Sequence, residues 1–105
     1  MSNTHTVSLA EDCGSFLADG ATALEYRHRA IDPYLSFCEK VTLDFSGVRT
    51  ANSSFMNALV SGLLENHGEV VLKKLVFKGC KPALAVLVES AIELGIRKSG
   101  GRITA

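Results

Sequence analysis

A chain of 105 residues has room for one small domain, and its 47% of hydrophobic residues is enough to close a core and exclude a disordered chain. Eleven basic residues balance eleven acidic ones. This removes the electrostatic case for a nucleic-acid or membrane-surface partner, and with little colloidal repulsion it leaves self-association as a homodimer open. The reading is of a single domain over 1–105, with a core over about 4–96 and a polar stretch at 97–105.

Cys13, Cys38 and Cys80 are odd in number, far apart and without a C-x-x-C. Neither a disulfide framework nor a zinc knuckle is expected, and the three thiols fit the reducing cytoplasm. The opening residues lack the basic run and apolar core of a signal peptide. No apolar run approaches the ~18–20 residues that a membrane span needs, so a soluble protein is expected.

In chain order, residues 1–3 read as loose. His5, Val7 and Leu9 alternate with Thr4, Thr6 and Ser8, which predicts a short first strand at a sheet edge. Glu11-Asp12-Cys13-Gly14 is a turn signal, after which Phe16 and Leu17 could form a second strand folded back on the first. From Asp19 to Cys38 a helix is expected, capped by Asp19 and broken at Asp32-Pro33, with Leu24, His28, Ile31 and Leu35 on one face.

The most informative stretch is Val41 to Leu64. Val41, Leu43 and Phe45 alternate with Thr42, Asp44 and Ser46, the period of a strand with one apolar face, and Ser46-Gly47 ends it. Asn52, Ser53 and Ser54 precede Phe55, Met56, Leu59, Val60, Leu63 and Leu64, an apolar stripe at helical spacing. Asn and Ser suit a helix start because their side-chain oxygens accept free backbone N–H groups of the first turn. Gly68 should close this helix.

Glu69 to Lys73 fits a strand or a helical turn equally well. Leu75-Val76-Phe77 reads as a strand buried on both faces, and Pro82 suits the first position of a last helix carrying Leu84, Leu87, Val88, Ala91, Ile92 and Leu94. Gly95 is expected to stop that helix, with Ile96 packing back on its last turn. Residues 97–105 then form a tail, or Ile103 marks a last edge strand.

The alternation of helix and strand predicts an α/β layer fold with parallel crossovers, its helices mainly on one face because so small a domain covers only one face well. The segment Leu43-Asp44-Phe45-Ser46-Gly47-Val48, then Asn52-Ser53-Ser54-Phe55, the strand from Leu75 to Lys78 and the closing helix together resemble a STAS-type domain over roughly Phe16 to Ile96. This is the fold of bacterial anti-sigma factor antagonists; more narrowly, the chain resembles the STAS-like domain family of unknown function. The resemblance implies a small STAS-like layer fold with a mixed sheet of about four strands.

In such antagonists a similar strand leads to an Asp-Ser-Ser-Gly or Asp-Thr-Ser-Gly motif, whose residue after the acid a partner kinase phosphorylates. By that match Ser53 is the regulatory serine and Ser54 its neighbour, with Asn52 standing in place of the acid and Phe55 in place of the glycine. The resemblance also implies a protein partner, a histidine-kinase-like ATPase acting as anti-sigma factor or serine kinase. The residues expected to meet it are Asn52, Ser53, Ser54 and Asn57.

Other candidates have plainer readings. Asp44 is either a surface acid or a cap on the turn after its strand. Cys80, between a strand and a helix start, is where a thiol pKa can fall, which would suit a thiol-dependent enzyme or redox sensor. Residues 81–88, however, hold no arginine for a phosphate cradle, and an inert buried thiol fits better. Arg27, His28 and Arg29 form a small basic cluster, whose arginines read as the solvated margin of their helix, with a docking patch for an acidic partner or phosphate as the alternative. The three histidines have no paired spacing and no glycine-rich nucleotide loop is present, so no metal or cofactor is expected, nor an enzyme; a static adaptor subunit is the remaining alternative.

Overall fold

The structure, a computed structural model, describes residues 3–101. The elements run β1 (Thr4–Ser8), α1 (Leu9–Cys13), β2 (Phe16–Leu17), α2 (Gly20–Ala30), α3 (Asp32–Leu35), β3 (Lys40–Asp44), β4 (Thr50–Ala51) and α4 (Ser53–Met56). A π-helical turn (Asn57–Ser61) joins α4 to α5 (Gly62–His67) without a break, and a 3₁₀ segment (Glu69–Lys73), β5 (Leu75–Lys78) and α6 (Pro82–Gly101) follow. The two residues before Asn3 and the proposed Ile103 strand lie outside the described residues.

The sheet differs from the mixed one of about four strands that was expected. Among the described residues there are two separate sheets, and both are parallel. One has the order β1-β3-β5, with Val7 beside Leu43 and Leu43 beside Phe77. The other pairs β2 with β4, Phe16 against Thr50 and Leu17 against Ala51. A helix separates each strand of the first sheet from the next, so every return is a crossover and the strands point the same way. Phe16-Leu17 does not fold back on β1 because α1 intervenes; one helical turn, ended by Gly14 at φ +97°, carries the chain off to its own partner.

Val7, Val41, Leu43 and Leu75 bury one face of the sheet against the helices. Thr6, Thr42 and Val76 share a register on the opposite, more open face. Val76 is 39% exposed, so β5 is not buried on both faces as its apolar run suggested. It is an edge strand covered on one side only.

The helix over 53–67 is the centre of the core. Phe55, Met56, Leu59, Val60, Leu63 and Leu64 are all buried, as their spacing predicts, and Gly68 closes the helix at φ +82°. Helix α6 crosses it closely. Gly95 does not stop α6: a Cβ there would lie 2.8 Å from that of Leu64 and 3.1 Å from Ser61 Cα. The glycine lets two backbones meet, and the Ser61 hydroxyl seals the contact by donating to the Ala91 carbonyl at 2.6 Å. That packing outweighs the ~1 kcal/mol helix cost of one glycine.

Candidate functional site

The parallel pairing of β2 with β4 decides where the site forms. Strands running the same way deliver their following helices at the same end, so α2 and α4 start side by side. Asp19 caps α2, its carboxylate accepting from the Ala21 N–H at 3.1 Å and the Thr22 hydroxyl at 2.7 Å. These bonds hold its carboxyl below the usual range, the hydroxyl of Thr22 first and the Ala21 N–H second. Asn52 caps α4: its Oδ1 accepts from the Phe55 N–H at 2.9 Å, and its Nδ2 donates to the Ala18 carbonyl at 2.8 Å. One amide thus starts the central helix and ties it to the start of α2. The two helices touch where Gly20 meets the Ser54 carbonyl; a Cβ on Gly20 would lie 3.2 Å from that oxygen.

On this corner Ser53 and Ser54 are exposed, and neither hydroxyl has a hydrogen-bond partner among the described residues. Asn52 does the capping, so the serines are left over. Phe55, which stands where the antagonist motif has glycine, is buried in the core and adds no bulk to the corner. Asn57 is half-buried one turn on, in the wall of an adjoining groove. The structure therefore places Ser53 and Ser54 together on one exposed surface and Asn57 beside them. The side chain of Asn52 is occupied in holding the corner's shape. An acid is also present at the corner, on the neighbouring helix start at Asp19 rather than at position 52.

The groove beside the corner measures about 480 Å³ and runs between α2 and the central helix to Lys98 of α6. In its wall stands the residue that sequence reading misplaced. Arg27 is only 4% exposed, not a solvated margin. Its Nη1 donates to the Ala58 carbonyl in the π-helical turn at 3.1 Å, and its Nη2 donates to His28 Nε2 at 3.0 Å. Its Nε lies 3.4 Å from Asp32 Oδ2, while His67 donates to the other oxygen of Asp32 at 3.0 Å. Gly62 makes the room, since a Cβ there would collide with Nη1.

The buried face of α2 is accordingly Ala23, Tyr26 and Arg27, leading to Ile31, and not the expected stripe of Leu24 and His28, which are exposed. Tyr26 is held there by donating its hydroxyl to Asp12 of α1; burial first, and that carboxylate second, push its pKa well up. Arg29 does lie on the solvated margin, near Glu25.

Asp44 takes the capping role: its carboxylate accepts from the Ser46 N–H at 2.9 Å, which with the Ser46 hydroxyl pulls its pKa down. Gly79 crosses directly over Ser46, close enough that a Cβ would collide with it. Cys80 follows. Its thiol pKa is raised, by burial first and then by the Asp44 carboxylate, the opposite of the depression that a helix start can give. Cys13 is raised for the same leading reason. Among the described residues no group of three or more His, Cys, Asp or Glu could hold a metal ion, and no helix is long and apolar enough to cross a membrane.

A family model described as "STAS-like domain of unknown function" (DUF4325) matches residues 27–85. The chain belongs to that family. The matched span of this STAS-like domain opens at Arg27 and takes in β3, the serine corner, the π-helical turn and β5, ending in the first turn of α6. Both the serines and the buried arginine fall inside it, whereas β1, α1, β2 and the start of α2 lie outside. No curated protein and no solved structure matches the chain significantly. The family is not one of known enzymes, and its function is unassigned.

Proposed function

We propose that this STAS-like domain is a non-catalytic regulatory module, similar in role to anti-sigma factor antagonists, that docks a protein partner through the corner where α2 and α4 begin. The observation that carries this reading is the pair of exposed, unbonded hydroxyls of Ser53 and Ser54 at the positive end of a helix already capped by Asn52. A helix start with spare N–H groups favours an incoming acidic group by about 0.3–1 kcal/mol when exposed. Asn57 extends the contact one turn along the helix.

Phosphorylation would switch this surface. A phosphoryl group adds roughly 1.5–2 negative charges at neutral pH and, set beside Asp19, turns a surface that accepts acidic groups into one that repels them. By family resemblance the partner is a histidine-kinase-like ATPase, serving as anti-sigma factor or as the serine kinase itself, and the setting is the bacterial cytoplasm. The thiol-dependent alternative at Cys80 is the less favoured one, since burial first and the Asp44 carboxylate second raise its pKa.

The test is co-purification from the native host with wild type, Ser53→Ala and Ser53→Glu as baits, and intact-mass analysis of each bait. An ATPase held by wild type and Ser53→Ala, released by Ser53→Glu, and a phosphate adduct missing only from the substituted baits, are expected. A partner held equally by all three, with no adduct, would make the domain a static adaptor.

A further inference from the structure

The sheet β1-β3-β5 has two edges, and only one of them is guarded. An open edge offers unpaired N–H and C=O groups to another strand, and proteins blunt such edges with lysine, proline, a bulge or a cover. β5 ends on the exposed Lys78 and follows directly on Lys73 and Lys74. β1 has none of these devices. Its sequence, Thr-His-Thr-Val-Ser, holds no lysine, acid or proline, and its register with β3 runs unbroken from Thr4 to Ser8.

The backbone groups on the free side of β1 follow from the pairing. The Asn3 carbonyl accepts from the Glu39 N–H at 2.8 Å and the Lys40 N–H at 3.4 Å, so it turns toward β3. Alternate residues of a parallel ladder turn to the same side, so Thr4, Thr6 and Ser8 direct their N–H and C=O groups outward. Among the described residues no turn, cap or loop bond reaches the Thr4 or Thr6 backbone, and both residues are exposed. The strand is nevertheless held in shape from beneath. His5 donates from Nε2 to the Ala30 carbonyl at 3.1 Å and stacks on Tyr34, with ring centres 3.6 Å apart.

We propose that β1 is a self-association edge that takes the β1 of a second copy of this chain, antiparallel and centred on Thr6. The strand is complementary to itself in that register. Thr4 meets Ser8 of the second copy and Thr6 meets Thr6, and these are the residues whose backbone groups point outward, so they form the hydrogen-bonded pairs. His5 meets Val7 between them. The Thr–Thr and Thr–Ser pairs lie on the open face of the sheet beside Thr42, and such cross-strand pairs are favourable, whereas a charged strand would face its own like charges. Phe37, 61% exposed near the start of β1, adds apolar surface. Balanced charge over the chain adds little long-range repulsion. The contact is isologous, so it closes as a dimer with the two sheets joined into one. An edge of five residues falls short of the ~1,200 Å² of a stable complex, so the dimer should form reversibly with concentration. It lies apart from the serine corner and does not depend on docking there.

Sedimentation velocity of the full chain over roughly 10 µM to 1 mM tests this, the range in which a weak complex dissociates. The weight-average mass should rise from the 11.2 kDa of one chain toward twice that. Thr6→Lys sets two cations opposite each other and Thr6→Glu two carboxylates; each alone should weaken association by about fivefold or more, and an equimolar mixture of the two should restore it. Val76→Lys, on the other edge strand, should leave association unchanged. A chain that stays monomeric throughout, undiminished association of Thr6→Lys, no recovery in the mixture, or an equal loss in Val76→Lys would each overturn the proposal. Retained dispersion of the amide spectrum shows that each variant is folded.

Discussion

The serine corner and the Arg27 groove occupy neighbouring turns of the same helix, yet they are held by different kinds of interaction. At the corner everything is local and exposed: Asn52 reaches the Phe55 N–H three residues on and the Ala18 carbonyl across a short parallel pair, and neither serine hydroxyl makes a hydrogen bond among the described residues. One turn further, a buried cation is fixed by groups from α2, α3 and the central helix, and a glycine clears its path. The first arrangement costs the fold little to change and is free to act as a switch. The second is a structural junction on which the geometry of the groove depends.

Substitutions should separate the two regions by size of effect. Arg27→Ala leaves the Asp32 carboxylate without its cation and the Ala58 carbonyl without its donor, and should cost about 3 kcal/mol in urea denaturation, as breaking a buried ion pair does. Adding Asp32→Asn should cost less than the sum of the single changes, because the two residues share one network. Asn52→Ala should cost about 1 kcal/mol, the ordinary loss of an N-cap, and should loosen the amides of residues 18–20 along with those of 53–55 in hydrogen exchange. Ser53→Ala and Ser54→Ala should change stability by less than about 0.5 kcal/mol, since neither hydroxyl makes a bond in the folded chain. A larger loss from either serine would show that it belongs to the scaffold and not to a free surface.

Acid should act on a third place, the turn after β3. The folded pKa of Asp44 is below its unfolded value because it accepts from Ser46. The stability it confers is therefore complete above its unfolded pKa of about 3.9 and is lost as pH falls through the lower folded value. Asp44→Asn should flatten that part of the acid-unfolding profile below about pH 4 and leave the slope near neutrality unchanged, measured as urea midpoints across the range.

How much of this the sequence discloses depends on how far apart the interacting residues are. The strand at Val41 to Phe45 and the helix from Ser53 to Gly68 were legible because alternation, the Asn52 cap and the closing glycine all act within a few residues. The serine corner was legible for the same reason, and the raised exposure of its two hydroxyls follows from the stripe that buries Phe55 and Met56.

Arg27 was not legible. Its charge says surface, and only Gly62, Ala58 and Asp32, brought together by the crossing of three helices, make its burial favourable. The one available signal was the spacing of Ala23, Tyr26, Arg27 and Ile31, an apolar stripe once the arginine is admitted to it. Gly95 misled in a similar way. A glycine at a helix end and a glycine at a helix crossing look alike until the partner helix is in place. The two-residue strands at 16–17 and 50–51 carry too little periodicity to reveal their pairing, although that pairing is what sets α2 and α4 side by side.

The central claim is that the partner meets the chain at the starts of α2 and α4. Photocrosslinking in the native host tests it most directly, with one photoreactive residue at position 57 and, separately, one at position 76 on the open face of the sheet. The account expects a discrete protein adduct from position 57 that disappears in the Ser53→Glu background, and no adduct from position 76. An adduct from position 76 that is insensitive to Ser53→Glu, with none from position 57, would place the partner on the sheet and contradict it.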